Sequence, residues 1–197
     1  GRVIDHMRSF ARRDVRPIVQ HDPWEAINGA LNIIGEQLRL AGIDLIVNAR
    51  PSVYMVRCNQ ENLEQVLLNL LSNARDAIIE KAAVEGSGWP RIIDIYLGSA
   101  RDGTVQLSVT DTGGGIPADM AANIFEPFFT TKPAGKGTGL GLPLSRSIIR
   151  DNGGEITTIN VGDGARFIVN LPLLAGNKTP EAAIDDALTP RAPKSAD

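Results

Sequence analysis

The chain has 197 residues, 43% of them apolar and 22% charged, enough to bury the core of one domain with short appendages. Its net charge of -3 gives no basic field to draw nucleic acid, and its single cysteine, Cys58, excludes an internal disulfide or a cysteine metal cluster. That cysteine usage fits a reducing, cytoplasmic compartment. No apolar run reaches membrane-spanning length and the N-terminus lacks a signal-peptide pattern, so no direct membrane contact is expected.

Val3, Ile4, Met7, Phe10 and Ala11 recur at helical spacing before Pro17, so residues 1–16 read as the end of a helix that begins upstream. A chain that opens in mid-helix is expected to be a fragment of something longer. Asp22-Pro23-Trp24-Glu25 is a helix start, with a capping carboxylate, a proline suited to the first turn and a capping-box-like glutamate. Ile27, Leu31, Ile34 and Leu38 mark its buried face and Gly42 its end. Ile43, Leu45 and Val47 alternate as a strand and residues 53–58 as another, with a turn at Arg50-Pro51-Ser52.

Asn59 caps a helix predicted to run to about Ala83, with Leu63, Leu67, Leu70, Leu71, Ala74 and Ile78 as its core stripe. Its other side carries Asn62, Gln65, Asn69, Asn73, Asp76 and Glu80. A polar back is ordinary for a surface helix. Asn69 and Asn73, however, stack one turn apart, and asparagine is a middling helix former, so a polar role beyond solvation is expected of them. After a loop at Gly86–Pro90, residues 92–97 and 105–109 form a hairpin around Asp102-Gly103. Residues 143–150 continue as a helix stopped by Asn152-Gly153-Gly154. Residues 156–159 and 166–171 form a final hairpin, and the Ala/Pro-rich stretch from Ala175 reads as a disordered tail.

Asp111 to Leu142 concentrates the chemistry. Asp111 ends a strand and is followed by Thr112-Gly113-Gly114-Gly115-Ile116. Such a carboxylate can accept from an adenine amine while the glycines let the ring lie against backbone; turn capping and metal binding are its rival roles. Gly135, Gly137, Gly139 and Gly141 alternate with Lys136, Thr138, Leu140 and Leu142. That pattern suits neither helix nor strand interior. It can wrap a triphosphate in backbone N–H groups, and the following helix aims its N-terminal dipole at the same anion. A Walker A ending is missing, and so is the strand context of a dinucleotide fingerprint. A flexible linker is the plainer reading, but Leu140 and Leu142 belong to the apolar pattern of the helix. Between the clusters, Phe125-Glu126-Pro127-Phe128-Phe129-Thr130-Thr131-Lys132 combines aromatic anchors with phosphate-binding side chains, as a mobile lid would. A triphosphate carries Mg2+, which keeps waters and takes few protein oxygens; Asn73, with Asn69, can supply them.

In this order the segments resemble the catalytic ATP-binding domain of sensor histidine kinases, within the wider group of topoisomerase, Hsp90 and mismatch-repair ATPases. Residues 65–74 resemble the asparagine box, 111–116 the first glycine box, 125–132 the phenylalanine box and 135–142 the second glycine box. Gly153-Gly154-Glu155-Ile156 and Gly164-Ala165-Arg166-Phe167 resemble the closing hairpin. The FEPFFTTK form resembles the nitrogen- and oxygen-sensing branch. The resemblance covers residues 22–174 and implies an α/β (α+β) two-layer sandwich, the Bergerat fold: a mixed sheet of about five strands covered on one face by three helices.

The resemblance further implies that Asn73 coordinates Mg2+, Asp111 reads adenine, Lys132 contacts phosphate, and Gly137 to Gly141 wrap the triphosphate. Catalysis is assigned to Asn69, Asn73 and Lys132. Nucleotide binding is assigned to these and to Asp111, Gly113, Gly115, Ile116, Phe125, Thr130, Thr131, Lys136, Gly137, Thr138, Gly139, Leu140, Gly141 and Leu142. Hydrolases of the wider group carry a glutamate where this chain has Asn69. A neutral amide cannot act as a general base near neutral pH, which favours transfer to a protein acceptor. Neither His6 nor His21 fits the family's acceptor pattern, so the acceptor helix is expected on a separate domain that residues 1–16 once joined, with residues 17–174 catalytic. Asp76 stands where some kinases carry a phosphate-contacting lysine and is given no catalytic role. The implied partners are that acceptor domain, a response regulator and, in the full-length protein, a second copy. An ATP-gated clamp and a nucleotide-sensing module without catalysis are competing functions, marked by appreciable turnover and by binding without transfer respectively; a serine kinase acting on an anti-sigma partner is a further variant, disfavoured by the helical pattern of residues 1–16.

Overall fold

The computed structural model describes residues 19–49, 54–99, 103–132 and 137–174. The expectations for residues 1–16, the turn at 50–52, Asp102 and the segment from 175 lie outside the described residues. Strand β1 (Val19–His21) precedes helix α1 (Pro23–Leu40). The Asp22 carboxylate accepts from the Trp24 amide at 2.9 Å, capping α1 as its sequence requires, and Gly42 leaves the helix with φ +66°. Strands β2 (Asp44–Asn48) and β3 (Val56–Cys58) follow, then helix α2 (Gln60–Glu85), whose first turn is capped by Asn59 Oδ1 accepting from Asn62 N at 3.0 Å. Strands β4 (Ile92–Ser99) and β5 (Thr104–Asp111), the short helix α3 (Ala118–Ala121), helix α4 (Gly141–Asp151) and strands β6 (Glu155–Val161) and β7 (Gly164–Pro172) complete the described elements.

The sheet runs β2-β4-β5-β7-β6. β2 and β4 are parallel, joined by a crossover through β3 and α2, and the other pairs are antiparallel. This is the expected mixed five-stranded sheet. The two strands read before α2 do not pair with each other. β3 instead pairs antiparallel with β1, Val19 opposite Cys58 and His21 opposite Val56. β1 is too short to carry a period-two signature, so only tertiary pairing defines it.

Strand periodicity decides which side chains meet the helices. Ile93, Ile95 and Leu97 of β4, Val105, Leu107 and Val109 of β5, and Phe167, Val169 and Leu171 of β7 are buried in one cluster with the apolar stripes of α1, α2 and α4. Asp111 has the parity of Val105, Leu107 and Val109, so the same alternation turns its carboxylate inward, and it is only 6% exposed. Ile46, Tyr96 and Ile159 are exposed. Among the described residues no helix is long and apolar enough to cross a membrane.

Candidate functional site

Between α2, the loop after β5, the 125–132 segment and the start of α4 lies a cleft of about 510 Å³, within the usual size of ligand pockets. Of the residues expected to form the site, Asn69, Asn73, Asp111, Gly115, Ile116, Thr130, Thr131, Lys132 and 137–142 all line it. Gly113 and Phe125 are not among its lining residues. Phe125 packs against the core with Arg146 over its ring at 5.4 Å, so it anchors the segment. Lys136 lies outside the described residues.

One face of α2 touches each binding segment in turn. At Asn69, Nδ2 donates to the Gly141 carbonyl at 3.3 Å and to Ser145 Oγ at 3.2 Å, fastening the first turn of α4; Ser145 is fully buried. One turn on, Asn73 Oδ1 accepts from the Lys132 ammonium at 3.4 Å. Lys132 Nζ also donates to Asp76 Oδ2 at 2.6 Å. Arg75 binds the other oxygen of Asp76 through Nε at 3.0 Å and Nη2 at 2.7 Å. Burial pushes the Asp76 carboxyl up, but the hydrogen bonds from Lys132 and Arg75 outweigh it and hold the carboxyl below its ordinary value. Ala77 then meets Gly113 so closely that a Cβ there would lie 2.5 Å from the Ala77 methyl. Lys81, the last rung, sits 5.0 Å from the centre of the Trp89 ring.

At the Gly113 end, Asp111 Oδ1 accepts from the amides of Gly113 at 2.7 Å and Ala165 at 3.3 Å. No described residue donates to Oδ2, and Asp111 lines the cleft, so an acceptor remains for a ligand. Burial raises the Asp111 carboxyl above its ordinary value, and the two amide bonds pull the other way without cancelling it. Gly164 makes this possible: a Cβ there would stand 1.6 Å from the Asp111 carbonyl oxygen. At the opposite end, Phe128 adopts φ +68° and is 74% exposed, its amide donating to the Gly139 carbonyl at 2.9 Å. A bulky residue held in the left-handed region is strained. Here the strain accompanies the junction of the aromatic segment with the glycine loop.

Three features of the site escaped the sequence. Asn160 of β6 clamps Ile116 by paired bonds, Ile116 N to Oδ1 and Nδ2 to Ile116 O, both 2.8 Å. Trp89 Nε1 donates to the Thr112 carbonyl at 2.7 Å, and Thr112 Oγ1 both donates to Pro90 O at 2.7 Å and accepts from Ile92 N at 3.0 Å, closing the back of the glycine turn. An asparagine in a strand and a tryptophan in a Gly/Pro loop are the only signals that could have found them. The third is Asp76, which the cleft brings against Lys132.

The profile of the histidine kinase-, DNA gyrase B- and HSP90-like ATPases matches residues 58–175, and the chain belongs to that family. Its solved neighbours include histidine-kinase catalytic domains: the catalytic domain of histidine kinase ThkA superposes with a TM-score of 0.65 at 31% identity, over 80% of this chain and 96% of that one. A complex of ThkA with the response regulator protein TrrA gives a TM-score of 0.69 at 26% identity, over 88% of this chain and 47% of that one. The two-component sensor PprA of Pseudomonas aeruginosa is 42% identical over 174 residues, 88% of this chain and 18% of its own length. The sensor histidine kinase ZraS of Escherichia coli O157:H7 is 36% identical over 182 residues, 92% of this chain and 37% of its own length. The chain thus spans a minor part of the curated relatives it matches.

Proposed function

We propose that this chain is the catalytic ATP-binding domain of a two-component sensor histidine kinase. In that reading it binds Mg-ATP and passes the γ-phosphoryl group to a histidine on a separate helical domain of the same protein, for relay to a response regulator. The observation that carries the proposal is Asn69. It stands in the cleft where a hydrolase needs a glutamate, and its amide is engaged with Gly141 and Ser145. The cleft therefore lacks a base at that position to activate water, while retaining the remaining groups of an ATP site.

The residues divide the work. Asp111 Oδ2 accepts from the adenine amine, and Ile116, held by Asn160, packs beside the base. Asn73 Oδ1 suits a hard cation, and the Lys132 ammonium already resting on it is evidence that the position takes positive charge. Bound Mg-ATP supplies the transferable phosphoryl group. The amides of Gly137 to Gly141 and the N-terminus of α4 hold its negative charge, and Thr130, Thr131 and Lys132 close over it. Residues 17–174 would form the catalytic domain, and the whole protein would act as a dimer with this domain in the cytoplasm.

The test is a chain extended upstream through the acceptor helices and supplied with γ-labelled ATP. Label on histidine, together with negligible phosphate release by the chain of residues 1–197, is expected. Steady ATP turnover by the 197-residue chain would point to the clamp reading instead, and no label on the extended chain would refute the proposal.

A further inference from the structure

Lys132 is not free in the cleft. Its ammonium lies 2.6 Å from Asp76 Oδ2 and 3.4 Å from Asn73 Oδ1. Lys132 comes from the aromatic segment and both partners from α2, so the pair joins the lid to the helix layer across the cleft. Asp76 is itself fixed: Arg75 grips its other oxygen with two N–H groups, and Arg75 Nη1 reaches Gln37 of α1 at 2.5 Å. A lysine has three donors. Asp76 takes one, and the longer contact gives way where Asn73 Oδ1 would take Mg2+, which leaves the others for the space that the glycine loop borders. A flexible four-carbon side chain otherwise loses much rotamer freedom on meeting a ligand, and holding it beforehand reduces that loss.

We infer that Asp76 is the positioning residue for the lid lysine, holding the Lys132 ammonium beside Asn73 before nucleotide arrives so that it meets the outermost phosphate. The inference rests on the proposed function for its ligand but not for its geometry. It also accounts for an acidic residue in a cleft that must receive an anion. Arg75, Asp76 and Lys132 together carry one net positive charge, placed by the carboxylate between the two cations.

The test compares the wild-type chain with Asp76→Asn, Lys132→Gln and the double variant. Asparagine keeps an oxygen for Arg75, so the helix face survives. Two readouts are taken: hydrogen exchange of residues 125–132 without nucleotide, and the ratio of ATP to ADP affinity in Mg2+ by calorimetry. Asp76→Asn should speed exchange about threefold in the free chain. It should lower the ATP-over-ADP preference about fivefold, the order expected for a charge-assisted contact that is partly exposed. In the Lys132→Gln background it should change neither by more than about twofold. An Asp76→Asn chain with unchanged exchange, a raised ATP preference, or the same change with and without Lys132 overturns the inference. A wild-type chain that binds neither nucleotide overturns the proposed function, and the exchange data then judge Asp76 alone.

Discussion

Replacing Gly164 by alanine tests whether the site is held by backbone or by side chains. The added Cβ would lie 1.6 Å from the Asp111 carbonyl oxygen, 2.5 Å from its carbon and 3.0 Å from the Thr112 Cα. A carbon approaches a carbonyl oxygen no nearer than about 3.3 Å, so β5 and β7 must separate by more than about 1 Å. No rotamer relieves the contact, because the atoms met are main chain. The separation falls beside the Thr110–Arg166 register and strains the Ala165 amide bond to Asp111 Oδ1. Overpacking of about 1–3 kcal/mol, plus one hydrogen bond of about 1 kcal/mol, gives about 3 kcal/mol. For a domain of this size that lowers Tm by about 10 °C. Gly162→Ala is the control: nothing lies within 4 Å of its Cβ, but φ is +56°, so it should cost only about 1 kcal/mol. Urea unfolding measures both, and calorimetry follows ATP binding, which should weaken only in Gly164→Ala. A Gly164→Ala chain within about 0.5 kcal/mol of wild type would refute the reasoning.

The raised carboxyl of Asp111 predicts a signed pH dependence. Its folded value lies above the unfolded one near 3.9, so the native chain binds the extra proton and stability falls as pH rises from about 4 through the folded value. The wild-type stability minus that of Asp111→Asn should therefore decline over that window and then level off; a difference that climbs with pH contradicts the assignment. Asn160→Ala frees both bonds to Ile116, and should weaken ATP about tenfold while costing about 1–2 kcal/mol of stability, read by calorimetry and urea titration. Asn69→Glu should not create a hydrolase, because the carboxylate would face the Gly141 carbonyl that the amide now binds. Its phosphate release should stay at the wild-type level while stability drops by about 1–3 kcal/mol, and brisk turnover would show that the base alone was missing.

The long elements were legible because each carries a local signal. Asp22 and Asn59 cap the helices they were read to cap, and the core stripe from Leu63 to Ile78 is buried as its spacing demands. α2 runs two residues beyond Ala83, to Glu85, because Gly86 rather than a change of pattern ends it. The cleft was legible because its segments keep characteristic residues in order. What was not legible is pairing over long separations. β1 exists only through β3, and α3 has no apolar stripe of its own. The Asn160 clamp and the Trp89 bond to Thr112 join residues 44 and 23 apart in sequence. Asp76 shows the same limit: its spacing on α2 places it beside Asn73, but nothing local says that a lysine 56 residues away lands on it.

The polar face of α2 gives these contacts a common cause. Asn69, Asn73, Ala77 and Lys81 recur every four residues and Asp76 follows Asn73 by three, so they stand along one side of the helix. At 1.5 Å per residue the rungs from Asn69 to Lys81 cover about 18 Å. Each rung meets a different segment: α4, then the lid, then the Gly113 turn, then the Trp89 loop. Distances between the two ends of the cleft are therefore set by a rigid helix buried on its opposite face, not by the glycine loops. The loops supply amides but no ruler. It follows that a substitution on this face acts at the place along the cleft its rung serves. On the proposed reading, Asn69 would govern the seating of α4, Asp76 the aim of the lid lysine, and Ala77 the depth of the adenine end. A bulkier residue at Ala77 should impair ATP and ADP equally because it works at the base, whereas a change at Asp76 should separate them because it works at the outermost phosphate.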